Sequence, residues 1–443
     1  MNLVRTARSL VIGLTLLTPS VFASDPDASF RPVVVVDPTS DLQQEINAAA
    51  SGSVILFEPG AYTVPNAFGN NRLVVDFKPL ILAAKQQGTV EFNGKLVVTN
   101  LTQDDEFAVH GIDFIANGTA ATGLSTHVLT VSNNRGNVWF EDCTFDGGPT
   151  PGSSSERTLI SLSSSTGGDF VFTRCTMRGA QQDGTYLFGD AAVQVGGNGR
   201  YRFGECSLTG GMGANGTASS PNGWDGGAAL SALPGFPKSV LLINTTLNGG
   251  AGGTAFQVTG GTGGDGGPGV RSSAPAVDLD LLLYSATIQG GVAGIGIPSG
   301  AAGPAYSGLP PVSNPGTLPL YTLDAGDPVL EGDPFSIQAC GPTVPGNAFV
   351  LLEGRFGFDL NFSSTIAPIA IFPFLPGCPP VVQILGQMSA GKWSYDVAQS
   401  GQLAMGAIVL FLHTTVVEDE NALQDAFFSH PTMIILYPDP SQP

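Results

Sequence analysis

Short apolar stretches in the middle of this chain alternate with polar residues, stop at a glycine, and then recur. Six segments align without gaps: FAVHGIDFIAN (107–117), VWFEDCTFDGG (138–148), FVFTRCTMRGA (170–180), YRFGECSLTGG (201–211), VLLINTTLNGG (240–250) and LLLYSATIQGG (281–291). Their anchor residues, Phe114, Phe145, Met177, Leu208, Leu247 and Ile288, follow one another at steps of 31, 32, 31, 39 and 41. Seven, five and two positions before each anchor the residue is apolar or small, as in Phe140, Cys143 and Phe145 of the second copy. Spacing by two is that of a strand with one face turned inward. Two positions after the anchor stand Gly147, Gly179, Gly210, Gly249 and Gly290, where the backbone needs positive φ or a close approach. A second apolar stretch follows each glycine: Val128–Val131, Thr158–Leu162, Ala192–Val195, Ala228–Leu230 and Ala255–Val258. Long helical windows are missing between these stretches. Each unit is too small to bury its own apolar face, so stacking of units is predicted. The expectation is all-β: a parallel β-solenoid of short strands and turns.

Upstream, Ser40 and Gln43 are spaced as a capping box. Leu42, Ile46 and Ala49/Ala50 then recur at helical spacing, and Gly52 ends the run. This predicts a helix that covers the open end of the stack. The segment LQQEINAAASGSVILFEPGAYTV (42–64), then LILAA (80–84) and the repeats, resembles the start of right-handed parallel β-helix proteins of the pectin-lyase-like superfamily. The resemblance spans roughly residues 33–300. It implies a right-handed coil with an N-terminal helical cap, and proteins that often act on extracellular polysaccharides.

Residues 298–317 are rich in Pro, Gly, Ser and Ala and carry no charge, so a linker is expected at 301–317 between a 24–300 domain and a 318–443 domain. Beyond it, apolar runs at Phe335–Ala339, Ala348–Glu353, Ile366–Leu375, Val381–Leu385, Trp393–Val397, Ala407–His413 and Thr432–Tyr437 are separated by turn residues. Seven short strands in such a length predict a β-sandwich. The region resembles the small C-terminal β-sandwiches of secreted bacterial β-helix proteins, with GKWSYDVA (391–398) and IVLFLHTTVVED (408–419) in matching places.

Composition adds a compartment. Arg5 and Arg8, the apolar run Leu10 to Leu17 and Val21-Phe22-Ala23 read as a signal peptide over 1–23, so an exported protein is expected. The run is too short to span a bilayer. The net charge is −19, and −21 once the two leader arginines are removed. That excludes general nucleic-acid binding and an anionic membrane surface. It also disfavours acidic polysaccharides unless Ca²⁺ bridges; no other cofactor is called for. Of 60 glycines, 40 lie in 111–300.

Four sets of residues carry candidate chemistry. Three positions before the anchor stand Asp142, Arg174 and Glu205, and one after it Asp146 and Arg178. The resemblance implies acids and a basic residue on one outer sheet for proton abstraction or glycosidic cleavage, which makes Asp142, Arg174, Arg178 and Glu205 the catalytic candidates. An exposed ion-pair ladder is the plainer alternative. The glycine-rich insertions GGMGANGTASSPNGWDGG (210–227) and TGGTGGDGGPGVRSSA (259–274) explain the longer steps and are expected as neighbouring flexible loops. Trp224 and Asp225 could offer a sugar an aromatic platform and a polar partner. Asp265, in GGTGGDGGPG, faintly resembles Ca²⁺-binding glycine repeats. Cys143, Cys175 and Cys206 share one inward column and read as small core residues, since a flat ladder of thiols does not surround a metal. Cys340 and Cys378 predict a disulfide, worth about 3–4 kcal/mol.

Enzyme signatures of the β-helix families are sparse. Asp104-Asp105 stands without its polygalacturonase companions, Asp113-Phe114-Ile115 is a repeat position, and only five lysines (Lys78, Lys85, Lys95, Lys238 and Lys392) are available as a lyase base. Two functions follow as expectations. One is a non-catalytic carbohydrate-binding or adhesion module. The other is a polysaccharide lyase or hydrolase.

Overall fold

A computed structural model of the protein describes residues 31–64, 72–103, 105–116, 127–150, 158–182, 188–257, 260–273, 278–308, 312–316, 322–341, 349–355, 382–387, 389, 392–397, 406–417, 426–428 and 432–438. They are nearly all β and fall into two compact units, one over Arg31–Leu318 and one beyond it. The only helix among the described residues is Leu42–Ala48. Its N-cap is Asp41, whose carboxylate accepts from Gln44 N at 3.1 Å. The predicted Ser40–Gln43 box does not form: Ser40 Oγ accepts from Asp37 N, and Gln43 pairs with the Val74 backbone. At the other end Lys78 Nζ donates to the carbonyls of Ile46, Asn47 and Ala49, where a cation suits the helix terminus.

The first unit holds a sixteen-stranded and an eight-stranded sheet, each built from parallel pairings. Strands pair across successive repeats in the register the sequence predicts. Phe114 lies opposite Phe145, Phe145 opposite Met177, Met177 opposite Leu208, Leu208 opposite Leu247 and Leu247 opposite Ile288. The same column runs back through Phe92 to Tyr62, two repeats the alignment missed. The inward columns form one buried cluster. Within it Phe140, Phe172 and Phe203 stack with centroids 5.0 and 5.3 Å apart. One expected strand is misplaced: the repeat after Leu247 supplies Val270–Ser272 to the sheet, and Ala255 lies elsewhere. The expected linker contributes strands too, Tyr306–Ser307 and Val312–Gly316, which pair with Val270–Ser272 and Leu279–Tyr284.

One residue turns the chain from the first sheet to the second, and it is left-handed in each of the six aligned repeats. Asp142, Arg174, Glu205, Asn244 and Ser285 have φ of 53°, 52°, 55°, 48° and 51°. Gly111, at the same position, has 70°. Such strain costs non-glycine residues on the order of 1–3 kcal/mol each. A second column, Phe77, Asn100 and Asn133, just past the paired Asp76, Thr99 and Ser132, is left-handed too, with φ of 50°, 62° and 55°. In the first column the next residue helps to hold the bend. Cys143, Cys175 and Cys206 each donate Sγ–H to the carbonyl two residues back, at 3.2–3.3 Å. Thr245 does the same at 2.9 Å and reaches Phe203 O as well. Thr245→Val is therefore expected to lose about 1–2 kcal/mol, and Thr245→Cys to recover part of it, by urea unfolding.

The recurring glycines two after the anchor are not left-handed. A Cβ at Gly147 would lie 2.5 Å from Ala180 N, and one at Gly290 1.8 Å from Gly303 O. Close approach, not positive φ, fixes glycine in this column.

The two insertions are not flexible loops. With the segments that lead out of the sheet they form six extended stretches: 209–216, 221–227, 248–256, 261–267, 289–297 and 298–303. Three of them run outward side by side. Gly210, Gly213 and Gly216 donate to Asn248, Ala251 and Thr254, and Gly249, Gly252 and Ala255 donate to Gln289, Val292 and Ile295. The other three return beneath them. Gly227, Gly267 and Gly303 donate back to Gly211, Gly250 and Gly291, and Gly250 and Gly291 donate to Gly227 and Gly267, all at 2.8 Å. Partners recur every three residues, the period of a polyproline-II helix. Two of each three positions face other segments at backbone contact, and the third carries a side chain outward.

In the second unit a three-stranded antiparallel sheet (Thr322–Asp324, Phe335–Cys340, Lys392–Val397) and a six-stranded sheet share one buried cluster. Leu323, Ile337 and Ala339 of the first meet Leu352, Leu412 and Ile434 of the second. The expected strand at 366–375 lies outside the described residues.

Candidate functional site

Among the described residues, the left-handed corner gathers a cluster of ionisable side chains from successive repeats. Arg174 Nε and Nη2 each donate to one Asp142 oxygen at 2.8 Å, a bidentate pair, and Nη2 also donates to Glu141 Oε1 at 2.5 Å. Glu141 is fully buried, and the Asp142 and Arg174 side chains are 11% and 18% exposed. His110 Nδ1 lies 3.9 Å from Asp142. Burial opposes the Arg174 charge, but Glu141, Asp142 and Glu205 together raise its pKa above the usual guanidinium value. The guanidinium is thus a fixed cation bridging two repeats.

Of the four catalytic candidates, Asp142 and Arg174 are bonded to each other, and Glu205 acts on Arg174 through its charge. All three sit in the corner and not on a flat outer sheet. Arg178 is apart from them. It pairs with Asp146 at 3.6 Å and its side chain is 67% exposed. His110 and Glu141 were missed. They share the column four before the anchor, opposite one another in register, and a polar residue ending an apolar strand is the signal that marks them.

His110, Glu141 and Asp142 are close enough to offer one ligand atom each to a metal. The Arg174 guanidinium already supplies positive charge to both carboxylates, so this donor set does not fit a divalent cation. Asp265, the faint Ca²⁺ candidate, accepts from Ala301 N at 2.7 Å, and Asp225 accepts from Asp265 N at 2.9 Å. Both therefore tie returning segments of the bundle together. Trp224 is half-buried, edge-on to Phe188 with centroids 5.4 Å apart. Its backbone bonds Ala214 and Gly253, so the ring stands on a rigid base.

The three thiols of the core column are buried. Burial pushes those of Cys143 and Cys206 up, while hydrogen bonds from these two lower that of Cys175 against its burial. All three are enclosed in the core, where a nucleophile has no access to a substrate. No disulfide occurs among the described residues; Cys378, the expected partner of Cys340, lies outside them. A depression of about 1240 Å³ beside the N-terminal helix is lined by residues from Pro38 to Lys78 and shares none with the corner. No helix among the described residues is long and apolar enough to cross a membrane. No protein-family model and no curated protein matches the chain.

Proposed function

We propose that the chain is an exported right-handed parallel β-helix of the pectin-lyase-like type, with a C-terminal β-sandwich, acting without catalysis as an extracellular or cell-surface carbohydrate-binding module. One observation carries the reading. The acids best placed for catalysis are held by Arg174 in an enclosed network. A carboxylate neutralised on both oxygens by a guanidinium is a poor general base, and a fully buried Glu141 cannot reach a polymer. The bundle offers the opposite: a rigid, nearly uncharged surface with the Trp224–Phe188 pair at its side. Aromatic faces stack on sugar rings, and a pre-formed platform loses little entropy on binding. The 1–23 leader and the acidic, soluble composition fit export.

The test is a panel of acidic and neutral polysaccharides with and without Ca²⁺. The expected result is retention on at least one polymer, weakened at least tenfold in Trp224→Ala, with no new reducing ends and no unsaturated product. Cleavage that disappears in Asp142→Asn or in the mildly perturbing Arg178→Ala would establish the lyase or hydrolase instead.

A further inference from the structure

The bundle has an open edge whose bonding pattern specifies what can sit on it. In the first two outward segments the residues two, five and eight past the anchor donate N–H to the residues one, four and seven past the next anchor. Segment 209–216 does this to 248–256, and 248–256 does it to 289–297. In the last outward segment the corresponding donors are Gly290, Ala293 and Gly296, and none has an acceptor among the described residues. The returning layer repeats the arrangement. Gly223 and Gly226 donate to Thr262 and Asp265, and Gly263 and Gly266 donate to Pro298 and Ala301. In the last return, Ser299 and Ala302 stand at the donor positions, again with no acceptor among the described residues. Beside this edge Val292, Ile295 and Ile297 are 70%, 60% and 61% exposed. No residue from 289 to 303 is charged.

We propose that this edge binds an extended glycine-rich segment of another protein, which adds to the bundle as one more polyproline-II strand. The chemistry of the occupant follows from the layers already in place. It must present carbonyls every third residue to meet the donor row. It must be glycine where it nests against the backbone: a Cβ at Gly249 or Gly250 would fall 1.9 Å from the oxygens of Gly267 and Gly211. Its third residue should be uncharged, to lie beside Val292 and Ile295. This is strand addition transferred from a β-sheet to a polyproline-II array. A second copy of the chain is the poorer occupant. Its own glycine-rich segments are already bonded within its bundle, and its net charge of −19 opposes close self-association.

The inference is independent of the carbohydrate reading and is tested with a labelled peptide of the sequence QGGVAGIGI, which accepts this way within the chain. Ala293→Pro removes the central donor yet keeps the φ of a polyproline-II strand. Ala293 N makes none of the bundle's bonds, so the fold and its melting should be unchanged. Fluorescence anisotropy should show saturable binding to the full chain, at least tenfold weaker in Ala293→Pro and unaltered in Ala293→Ser. Absence of saturable binding, or equal binding by Ala293→Pro, overturns the proposal. So does self-association in sedimentation that Ala293→Pro abolishes, since the occupant is then a second copy.

Discussion

Arg174→Met should destabilise the protein by about 3–5 kcal/mol, the cost of stranding buried carboxylates without their counter-charge. Glu141 is fully enclosed, and Asp142 loses both bonds of its bidentate pair. The thermal midpoint should fall by on the order of 10 °C. Arg178→Met provides the contrast. Its pair with Asp146 is long and its side chain 67% exposed, so the loss should stay under about 1 kcal/mol. If the two columns were equivalent outer-sheet ladders, the two variants would behave alike. A wild-type melting curve for Arg174→Met would refute the account of the corner as a structural clasp. The triple change Glu141→Gln, Asp142→Asn, Arg174→Met removes the charges together and should recover part of the loss, because an unpaired buried charge costs more than an absent pair.

Much of this was legible in the sequence, and what was not has identifiable causes. The anchor register is a property of side chains one residue apart in pattern, so Phe145 and Met177 could be aligned by reading alone. Tyr62 and Phe92 belong to the same column, but Phe92 precedes Phe114 by only 22 residues, which breaks the period, and Tyr62 is followed two positions on by Val64 and not by glycine. The corner was legible as a column and misread as a surface. Asp142, Arg174 and Glu205 are polar because a left-handed bend sits at the edge of the core, and the alternation rule assumes extended backbone on both sides. Asp and Asn enter that conformation readily; Arg174 is held there by Glu141 and Asp142. His110 and Glu141 fall on the outward parity of their strands, one residue past the inward Val109 and Phe140, where pattern alone predicts a solvated polar residue; the structure buries both.

The insertions were misread for a different reason. Glycine excess signals flexibility when each glycine is judged alone, since each loses more entropy on ordering than any other residue. The bundle reverses that judgement collectively: every segment is bonded on more than one side, and the bonds require bare backbone at two positions in three. Gly250→Ala separates the views by sign. In a flexible loop the change should stabilise by about 0.4–1 kcal/mol through the unfolded chain. In the bundle the new Cβ lies 1.9 Å from Gly211 O and 2.8 Å from Gly210 O, backbone atoms that cannot rotate away. Two segments must then part, with the bonds from Gly250 N to Gly227 O and from Gly267 N to Gly250 O at risk. The expected loss is about 2–4 kcal/mol, with hydrogen-exchange protection of Gly227, Gly250 and Gly267 collapsing together. Ala251→Gly, one residue on and facing outward, should cost no more than about 1 kcal/mol. A stabilised Gly250→Ala with intact protection would mean that these segments gain nothing from contact. The open edge at Gly290 and Ala293 would then have no reason to recruit another strand.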